Sequence, residues 1–373
     1  MTAAHGACDT TIRDLAVSVY TVPTEQPEAD GTLQWSQTTL VVVEPRAGDL
    51  TGLGWSYATG ACATLIEDVL REVVVGSDAL DVPAVWEAMI RHCRNLGRPG
   101  IVSMAVAAVD IALWDLKAKL LDLPLCRLLG QVRTDVPVYG SGGFTSYDEQ
   151  TLTRQLSGWV HELGIPRVKI KIGESWGSEP GRDLTRIAVA RQTIGDDAEL
   201  YVDANGGYTR GQAVRMAHAM AGQRVSWFEE PVSSDDLPAL ADIRREIEPD
   251  VAAGEYGYDL HYFQRMCAAR AVDCLQADLT RCAGITDWLR AAAVAASHGL
   301  QVSAHCAPNL HAHPAASIPN LRHLEYFHDH ARIENQLFDG ALNPAGGDLR
   351  PDQGRPGLGL TLDRTAAEPY RRR

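Results

Sequence analysis

The hydrophobic and polar positions of this chain change their rhythm once, near residue 130. Before that point, alternating apolar positions predict three strands, at 15–22, 39–43 and 52–57. Longer apolar stretches predict three helices after them, at 61–75, 82–96 and 101–121. The turn-rich segment 23–31 predicts a mobile loop between the first two strands. Together these elements predict an α+β capping domain over residues 1–130.

After residue 130, short apolar strands alternate with helical stretches. Eight strands are predicted, at 136–140, 167–172, 200–203, 227–229, 251–253, 274–276, 301–303 and 323–326. The helices between them include 182–194, 210–221 and 286–298. Such alternation indicates parallel strands, and eight of them favour a closed barrel over an open sheet. We therefore predict an α/β fold: a modified (β/α)8-type TIM barrel at 131–345, whose cap is completed by a C-terminal return at 346–373.

The composition narrows the classes of function. The 373 residues are 45% hydrophobic, as in a globular protein, and carry a formal net charge of −14. This charge argues against nucleic-acid and anionic-membrane partners, since both need a cationic surface. Eight cysteines without a CxxC pair fit reduced thiols in a cytoplasmic enzyme, and Met1–Thr11 lacks signal-peptide features. The longest apolar run, 101–114, carries Asp110 and is too short to span a bilayer.

Lysine is rare in this sequence, and its placement is therefore informative. The four lysines are Lys117, Lys119, Lys169 and Lys171. Lys169 and Lys171 alternate with apolar residues on the predicted strand 167–172, so both amines face the same side. An amine can act as a base near neutral pH, whereas a guanidinium cannot. The alternative interpretation is a half-exposed edge strand with a solvated basic face.

Polar residues stand where the second to eighth barrel strands end: Lys171, Asp203, Glu229, Glu255, Asp278, His305 and Glu325. Neighbours in this series are between 20 (325−305) and 32 (203−171) residues apart, about the length of one βα unit. All seven side chains are therefore expected at the C-terminal rim of the barrel, where enzymes of this architecture build their active sites.

Three consecutive strand ends carry acids, namely Asp203, Glu229 and Glu255. Three converging carboxylates repel one another unless a cation lies between them. Hard oxygen ligands without cysteine or histidine favour Mg²⁺. Each acid taken alone could instead be an N-cap of the following helix. The three acids at consecutive strand ends together predict one Mg²⁺ per active site.

Asp278 and His305 follow the sixth and seventh strands, one βα unit apart. The carboxylate would fix the tautomer of the imidazole and raise its basicity. This pair would face Lys171 across the metal, and Glu325 on the eighth strand could donate a hydrogen bond to a metal-bound carboxylate. A lone histidine at a strand end is more often structural, so its spacing from Asp278 carries the prediction.

These residues match a known family. The matching motifs are Lys169-x-Lys171, Asp203-Ala-Asn205, Glu229-Glu230-Pro231, Gly254-Glu255, Asp278 with the later Ala283-Gly284-Ile285-Thr286, His305 and Leu324-Glu325. Together they resemble the mandelate racemase subgroup of the enolase superfamily. The resemblance covers almost the whole chain, including a cap-helix motif at 110–117 and a Pro-Gly-Leu-Gly close at 356–359.

The resemblance implies a chemistry and a set of roles. Mg²⁺ would be held by Asp203, Glu229 and Glu255, with Lys171 as one acid/base and the His305–Asp278 dyad as the other. Glu325 would be the electrophilic partner, and Lys169 would absorb charge as a proton α to a carboxylate is removed to give an ene-diolate. Lys171, beside Lys169 and Mg²⁺, is expected to have a lowered pKa.

Departures from the family pattern reduce the number of candidate reactions. Arg281 and Ala283 stand where the family often has a lysine and a glycine. Aspartate at 278, with no lysine after Lys171, disfavours the muconate lactonizing and dipeptide epimerase types, and Asn205 replaces the histidine of several aldonate dehydratases. The remaining candidates are the family members that use a lysine and a histidine as acid/base residues, which include mandelate racemase and dehydratases of acid sugars.

Within that group, the sequence favours dehydration of an acid sugar, an aldonate or aldarate, to a 2-keto-3-deoxy acid. His305 would protonate the departing β-hydroxyl, and the polar segment around Glu25 suits a hydroxylated substrate. The predicted contacts of this small-molecule carboxylate are Asn205, Lys169, Glu25, Trp55 and Tyr57. Racemisation or epimerisation of a 2-hydroxy acid is the alternative. We also expect a homo-oligomer.

Two further readings come from other classes of protein. The segment 173–177 fits the G-x-S-x-G pattern of serine hydrolases, and Ser175, Asp278 and His305 follow in the order of an α/β-hydrolase triad. Pro180 and Gly181 interrupt the helix that such an elbow needs, and the acids and lysines would have no role. A non-catalytic barrel would bind no metal.

His311 and His313 form an HxH pair that we expect in a loop.

Overall fold

The computed structural model describes residues 9–373. The expectation about Met1–Thr11 therefore falls mostly outside the described residues. Within them, no helix combines the length and apolar character needed to cross a membrane.

Eight parallel strands form a closed barrel: β5 (Val136–Gly142), β6 (Arg167–Lys171), β7 (Glu199–Asp203), β8 (Val225–Glu229), β9 (Asp250–Ala253), β10 (Cys274–Ala277), β11 (Gln301–Ala304) and β12 (Leu321–Phe327). Each strand pairs with the next, and β12 closes on β5, where Leu324 lies opposite Val138. Every predicted barrel strand is present, so the predicted fold class is confirmed.

Helices follow the barrel strands: α6 (Glu149–Ser157), α7 (Glu174–Gly177), α8 (Pro180–Ile194), α9 (Arg210–Ala219), α10 (Leu237–Glu246), α11 (Leu260–Ala268), α12 (Ile285–Ser297), α13 (Pro308–Ala315) and α14 (His328–Leu337). The short α7 is a single irregular turn, in which Ser175 and Trp176 have positive φ angles of 53° and 58°. Val168 and Ile170 of β6 belong to the large apolar core, and Lys169 and Lys171 are buried as well. The alternative interpretation of this segment as a half-exposed edge strand is therefore wrong, because β6 is covered on both faces.

Aromatic side chains fill the barrel below the predicted rim. Tyr139, Tyr201 and Trp227 pack with Ala252 and Cys274 in a separate buried cluster. The amine of Lys169 lies 5.2 Å from the ring centre of Tyr139. Side chains thus fill the barrel axis beneath the lysines.

The capping domain precedes the barrel. Its strands are β1 (Ile12–Ala29), β2 (Gln34–Ala47), β3 (Leu50–Thr51) and β4 (Gly54–Tyr57). Its helices are α1 (Ala61–Leu65), α2 (Arg71–Val74), α3 (Val82–His92), α4 (Ile101–Leu120) and α5 (Leu125–Leu128), with a π-helical stretch at Ile66–Leu70 joining α1 to α2. Helix α4 is buried around most of its circumference, as its apolar pattern predicts.

The prediction of a mobile loop at 23–31 is wrong. Strand β1 continues to Ala29, because the segment pairs with β2 up to Pro23 opposite Gln37 and again at Glu28 opposite Trp35. Pro27 lies in the irregular stretch between these pairs, on an edge strand, where a missing backbone N–H removes no ladder bond.

The C-terminal segment runs back over both domains through β13 (Phe338–Asp339), β14 (Asp348–Leu349), β15 (Thr361–Leu362) and α15 (Arg364–Ala367). Strand β14 adds to β5 antiparallel, and Leu358 donates a backbone hydrogen bond of 2.7 Å to Asp115 of the cap helix α4. The division at residues 130 and 345 stays a prediction.

Candidate active site

The carboxyl ends of β6, β7 and β8 place a lysine and two acids in one row. Lys171 lies in register with Asp203, and Asp203 with Glu229. The amine of Lys171 donates to Asp203 Oδ2 at 2.5 Å, and the amine of Lys169 donates to Glu229 Oε1 at 2.5 Å. Lys169 also lies 2.8 Å from Glu325 Oε1. The positive charges of both lysines are therefore balanced by carboxylates inside the barrel.

Three acids form a compact cluster that fits a divalent cation. One carboxylate oxygen from each of Asp203, Glu229 and Glu255 can be chosen so that all lie within 4.8 Å of one another, and all three side chains are buried. Burial and the nearby negative charge of Asp203 raise the pKa of Glu229 to about 8, although Lys169 opposes this. A cation bound by the three oxygens would relieve that repulsion, so the donor set fits the predicted Mg²⁺.

The surrounding charges set the protonation of Lys171. Burial lowers its pKa, but the negative field led by Asp203 outweighs burial and raises the pKa above its ordinary value. The lowered pKa that the sequence predicts therefore requires a cation that shares the charge of Asp203.

His305 and Asp278 form the predicted pair at the opposite side of the cluster. His305 Nδ1 lies 2.8 Å from Asp278 Oδ2, and Oδ1 of the same carboxylate accepts two bonds of 2.7 Å from the backbone N–H and hydroxyl of Thr280. Burial would raise the pKa of Asp278, but its hydrogen bond to His305 lowers it well below the usual range. Burial likewise would lower the pKa of His305, but the negative groups around it raise the pKa well above its ordinary value.

Glu325 joins the two halves of the site. Its Oε1 accepts a hydrogen bond of 2.6 Å from Ser141, and its Oε2 accepts one of 3.1 Å from the backbone N–H of Cys306. Burial would raise its pKa, but Lys169 and the other nearby cations lower it. These neighbours favour the ionised form of Glu325, whereas the predicted role as electrophilic partner needs the protonated form.

The rim and the cap enclose a cavity of about 650 Å³. Lys171, Glu255, Asp278 and His305 line its floor, and residues of β1, β2 and the loop after β4 line its wall. Two predicted substrate contacts, Asn205 and Tyr57, also line it, but the ring of Tyr57 stacks on His330, and its hydroxyl donates to Glu334 at 3.0 Å. Asn205 Oδ1 is buried without a hydrogen-bond partner among residues 9–373, so it is free to bind a ligand.

Three residues predicted for the site lie elsewhere. Trp55 is completely buried and stacks on Phe338 at 4.3 Å, because its strand packs inward. Glu25 lies outside the cavity lining, with its side chain 64% exposed and 3.2 Å from His328. Ser175 lines a separate depression, so the structure does not bring it to the His305–Asp278 pair that a hydrolase triad requires.

The HxH pair lies on a helix, not in a loop. His311 and His313 are fully buried on α13, and His313 accepts a hydrogen bond from the backbone N–H of Cys126 at 3.2 Å and lies 3.1 Å from the carbonyl of Leu358. Both histidines therefore serve the packing of α13.

Several residues of the site were not predicted. Thr280 has a local signal, because an Asp two residues before a Thr commonly forms an Asx turn. Ser141 and Cys306 have none, since their contacts with Glu325 join different strands. Arg281 was noted only as a departure from the family, yet it lies 3.0 Å from Glu255.

A barrel whose C-terminal rim carries buried acids between a lysine and an Asp–His pair defines an enzyme that acts on a small molecule. Two family patterns match the chain. "Mandelate racemase / muconate lactonizing enzyme, N-terminal domain" matches residues 12–130, and "Enolase C-terminal domain-like" matches residues 151–366. The chain therefore belongs to the mandelate racemase subgroup of the enolase superfamily, which confirms the resemblance seen in its motifs.

Known proteins of similar sequence and structure include acid-sugar enzymes. The chain is 31% identical over 338 residues to L-talarate/galactarate dehydratase of Salmonella typhimurium, covering 89% of this chain and 82% of that protein. The structure of that dehydratase with Mg and L-lyxarohydroxamate has a TM-score of 0.89, at 28% identity over 100% of this chain and 95% of the other. A mandelate racemase/muconate lactonizing enzyme-like protein from Rubrobacter xylanophilus has a TM-score of 0.94 and 51% identity, covering 97% and 99% of the two chains.

Proposed function

We propose that this enzyme removes the proton α to the carboxylate of an acid sugar, an aldonate or aldarate, and eliminates a β-hydroxyl to give a 2-keto-3-deoxy acid. One observation carries the proposal: Lys171 and His305 line the same cavity, on either side of a buried three-acid cluster. Relatives named as dehydratases of talarate/galactarate, arabinonate and rhamnonate support the substrate class.

Asp203, Glu229 and Glu255 would hold Mg²⁺. When bound there, the ion would supply positive charge that makes the α-proton of the substrate acidic and stabilises the ene-diolate. It would also share the charge of Asp203, which lets Lys171 release its proton more readily.

The side chains of this enzyme then move the protons. The neutral amine of Lys171 accepts the α-proton, and the charged Lys169 stabilises the negative charge that develops on the carboxylate. Glu325 would assist only in its protonated form, as a hydrogen-bond donor. His305, held charged by Asp278, gives its proton to the β-hydroxyl as water leaves. The resulting enol takes up a proton and becomes the 2-keto-3-deoxy acid.

Part of the cavity wall is able to form hydrogen bonds with a hydroxylated substrate. Five threonines contribute to its lining: Thr21, Thr38, Thr39, Thr59 and Thr280. Hydroxyl groups can donate and accept hydrogen bonds with the several hydroxyls of an acid sugar. Thr21 and Thr39 bond each other at 3.0 Å and Thr280 donates to Asp278, so these hydroxyls offer mainly their remaining acceptor capacity to a ligand.

Racemisation of a 2-hydroxy acid is the second candidate. The observation that favours it is the same pair of proton carriers, because a lysine and a histidine on opposite sides of an α-carbon can exchange its proton from either face. A racemase from Streptomyces coelicolor with bound magnesium, 29% identical with a TM-score of 0.90, is similar in structure over 96% of this chain and 99% of that chain.

A substrate screen separates the two reactions. The enzyme with MgCl₂ is incubated with a library of aldonates and aldarates in D₂O, and 2-keto acids are detected as semicarbazones. We expect 2-keto-3-deoxy acid from at least one sugar, and no product from Lys171→Ala or His305→Asn. Lys117→Ala, whose amine bonds Leu80 in the cap, is the matched control and keeps activity. Deuterium uptake at the α-carbon without loss of water would instead establish racemisation.

A further inference from the structure

A second set of metal-ligating groups converges beside the three-acid cluster. His305 Nε2 lies 3.3 Å from Cys306 Sγ and 3.6 Å from Glu325 Oε2, and Cys306 Sγ lies 3.4 Å from the same Glu325 oxygen. All three side chains are buried, and their ligand atoms lie within 4.8 Å of one another. The proposed reaction uses His305 and Glu325 separately and gives the thiol no task.

The three distances fit the edges of a tetrahedron around zinc. Bonds of about 2.0–2.1 Å to nitrogen and oxygen and about 2.3 Å to sulfur, at tetrahedral angles, place the ligand atoms roughly 3.3–3.6 Å apart. The observed separations of 3.3, 3.4 and 3.6 Å fall in that range. A zinc ion would therefore enter with little movement of the protein.

The surroundings supply what such a site needs beyond three ligands. Nδ1 of His305 is held by Asp278 at 2.8 Å, which leaves Nε2 aimed at the site, as in carboxylate–histidine–zinc arrangements. Glu255 Oε2 lies 3.3 Å from His305 Nε2 and is buried, with no hydrogen-bond partner in the described part of the chain. Because Glu255 belongs to the magnesium cluster, this oxygen adds negative charge beside the zinc position, and the fourth coordination position is left to water.

We propose that His305, Cys306 and Glu325 form a three-ligand zinc site that inactivates the enzyme by occupying its histidine. Zinc takes a thiolate and a neutral imidazole, so the thiol proton and any proton on the imidazole pass to solvent. Because magnesium avoids sulfur ligands and zinc favours them, the thiol discriminates between the two metals. Among residues 9–373, no other cysteine belongs to a cluster of three potential ligands.

Cobalt(II) binding tests the site without any substrate, so its result does not depend on the proposed function. Co²⁺ is titrated into the Mg²⁺-saturated enzyme, and absorbance in the near ultraviolet is recorded. We expect a thiolate-to-cobalt charge-transfer band that saturates at one equivalent and that Zn²⁺ removes. Cys306→Ala should lose the band, whereas Cys267→Ala, which removes a buried cysteine of α11, should keep it. Absence of the band from the unmodified enzyme overturns the proposal.

Inhibition gives the second readout, and this part rests on the proposed function. Zn²⁺ added in the presence of excess Mg²⁺ should inhibit the unmodified enzyme, and EDTA followed by Mg²⁺ should restore it. Relative to its own rate without zinc, Cys306→Ala should need at least about tenfold more Zn²⁺ for half-inhibition than the unmodified enzyme. Equal zinc sensitivity of Cys306→Ala and the unmodified enzyme would show that zinc acts elsewhere, for example by displacing magnesium.

Discussion

The substitution Asp278→Asn changes one atom of the histidine pair and tests its role. Oδ1 of Asp278 accepts two hydrogen bonds from Thr280, one of them from a backbone N–H that cannot change its role. The amide oxygen of an asparagine must therefore remain on Thr280, and its NH₂ group must face His305 Nδ1. A donor in that place forces Nδ1 to be the acceptor, so the single ring proton moves to Nε2.

The expected loss follows from this rearrangement. The charged His305 would lose a charge-assisted hydrogen bond to Asp278, which is worth about 1.5–3 kcal/mol. It would also lose the carboxylate charge that favours imidazolium, and a change of tautomer alone has cost roughly 10⁴ in a serine protease triad. A fall in kcat of about 10²–10⁴ is therefore expected, equivalent to about 3–5 kcal/mol in the barrier. Stability should change little, because the shape of the side chain is kept.

The assay compares kcat and KM for the substrate found by the screen, with Mg²⁺ at saturation. Loss should appear in kcat, whereas KM should change less than threefold, since Asp278 bonds to protein groups. Thr280→Ser is the matched control, because it keeps both donors to Oδ1. If Asp278→Asn kept more than a tenth of kcat, His305 would not need its partner and the assigned role would be wrong.

Three further predictions concern the metal, the acid limit of stability and the joint between cap and barrel. EDTA should abolish activity and lower the melting temperature, with both restored by Mg²⁺; activity in full chelation would refute the metal role. Burial lowers the pKa of His313 to about 4, so the folded state binds fewer protons than the unfolded state between pH 6.5 and 4. The neutral His313 contributes about 3 kcal/mol to the free energy of unfolding, a contribution that is complete above pH 6.5 and lost as the pH falls toward 4. In urea unfolding, His313→Gln should therefore lose less stability than the unmodified protein between pH 6.5 and 4. An unchanged dependence on pH would contradict this. Gly284→Ala should destabilise by about 2–4 kcal/mol in the same assay, because φ is +98° and the new Cβ would lie 2.3 Å from Asp110 Oδ2; a change below 0.5 kcal/mol would contradict it.

The rim residues could be predicted because they obey a local rule. Each barrel strand is a short apolar run whose end is visible in the sequence, and the βα repeat brings those ends to one rim. Lys171, Asp203 and Glu229 are the last residues of their strands, so spacing alone ordered them correctly. Asp278 and His305 follow their strands by one residue and were found in the same way.

The cap could not be predicted to the same depth, because its contacts join distant segments. Pro23 lies in a segment whose local signals favour a turn, yet pairing with β2 holds that segment extended. Trp55 is of a residue type that often contacts ligands. In the structure it stacks on Phe338 of the C-terminal segment and is therefore buried in the core. Local patterns contain neither of these pairings.

Two buried acids of α4 explain how the cap is held over the cavity. Asp110 accepts bonds from the backbone N–H and hydroxyl of Thr286, at 3.0 and 2.6 Å, at the start of barrel helix α12. Asp115 accepts backbone bonds of 2.7 Å from Leu53 of the cap and from Leu358 of the C-terminal segment.

Apolar side chains could fill the same volume, but they would leave these buried N–H groups without acceptors, at about 1–3 kcal/mol each. The two carboxylates therefore fix the direction in which α4 meets the barrel, not merely its contact with it. Because the cap strands that line the cavity pack on α4, the same bonds set the distance between the substrate-facing wall and the catalytic floor.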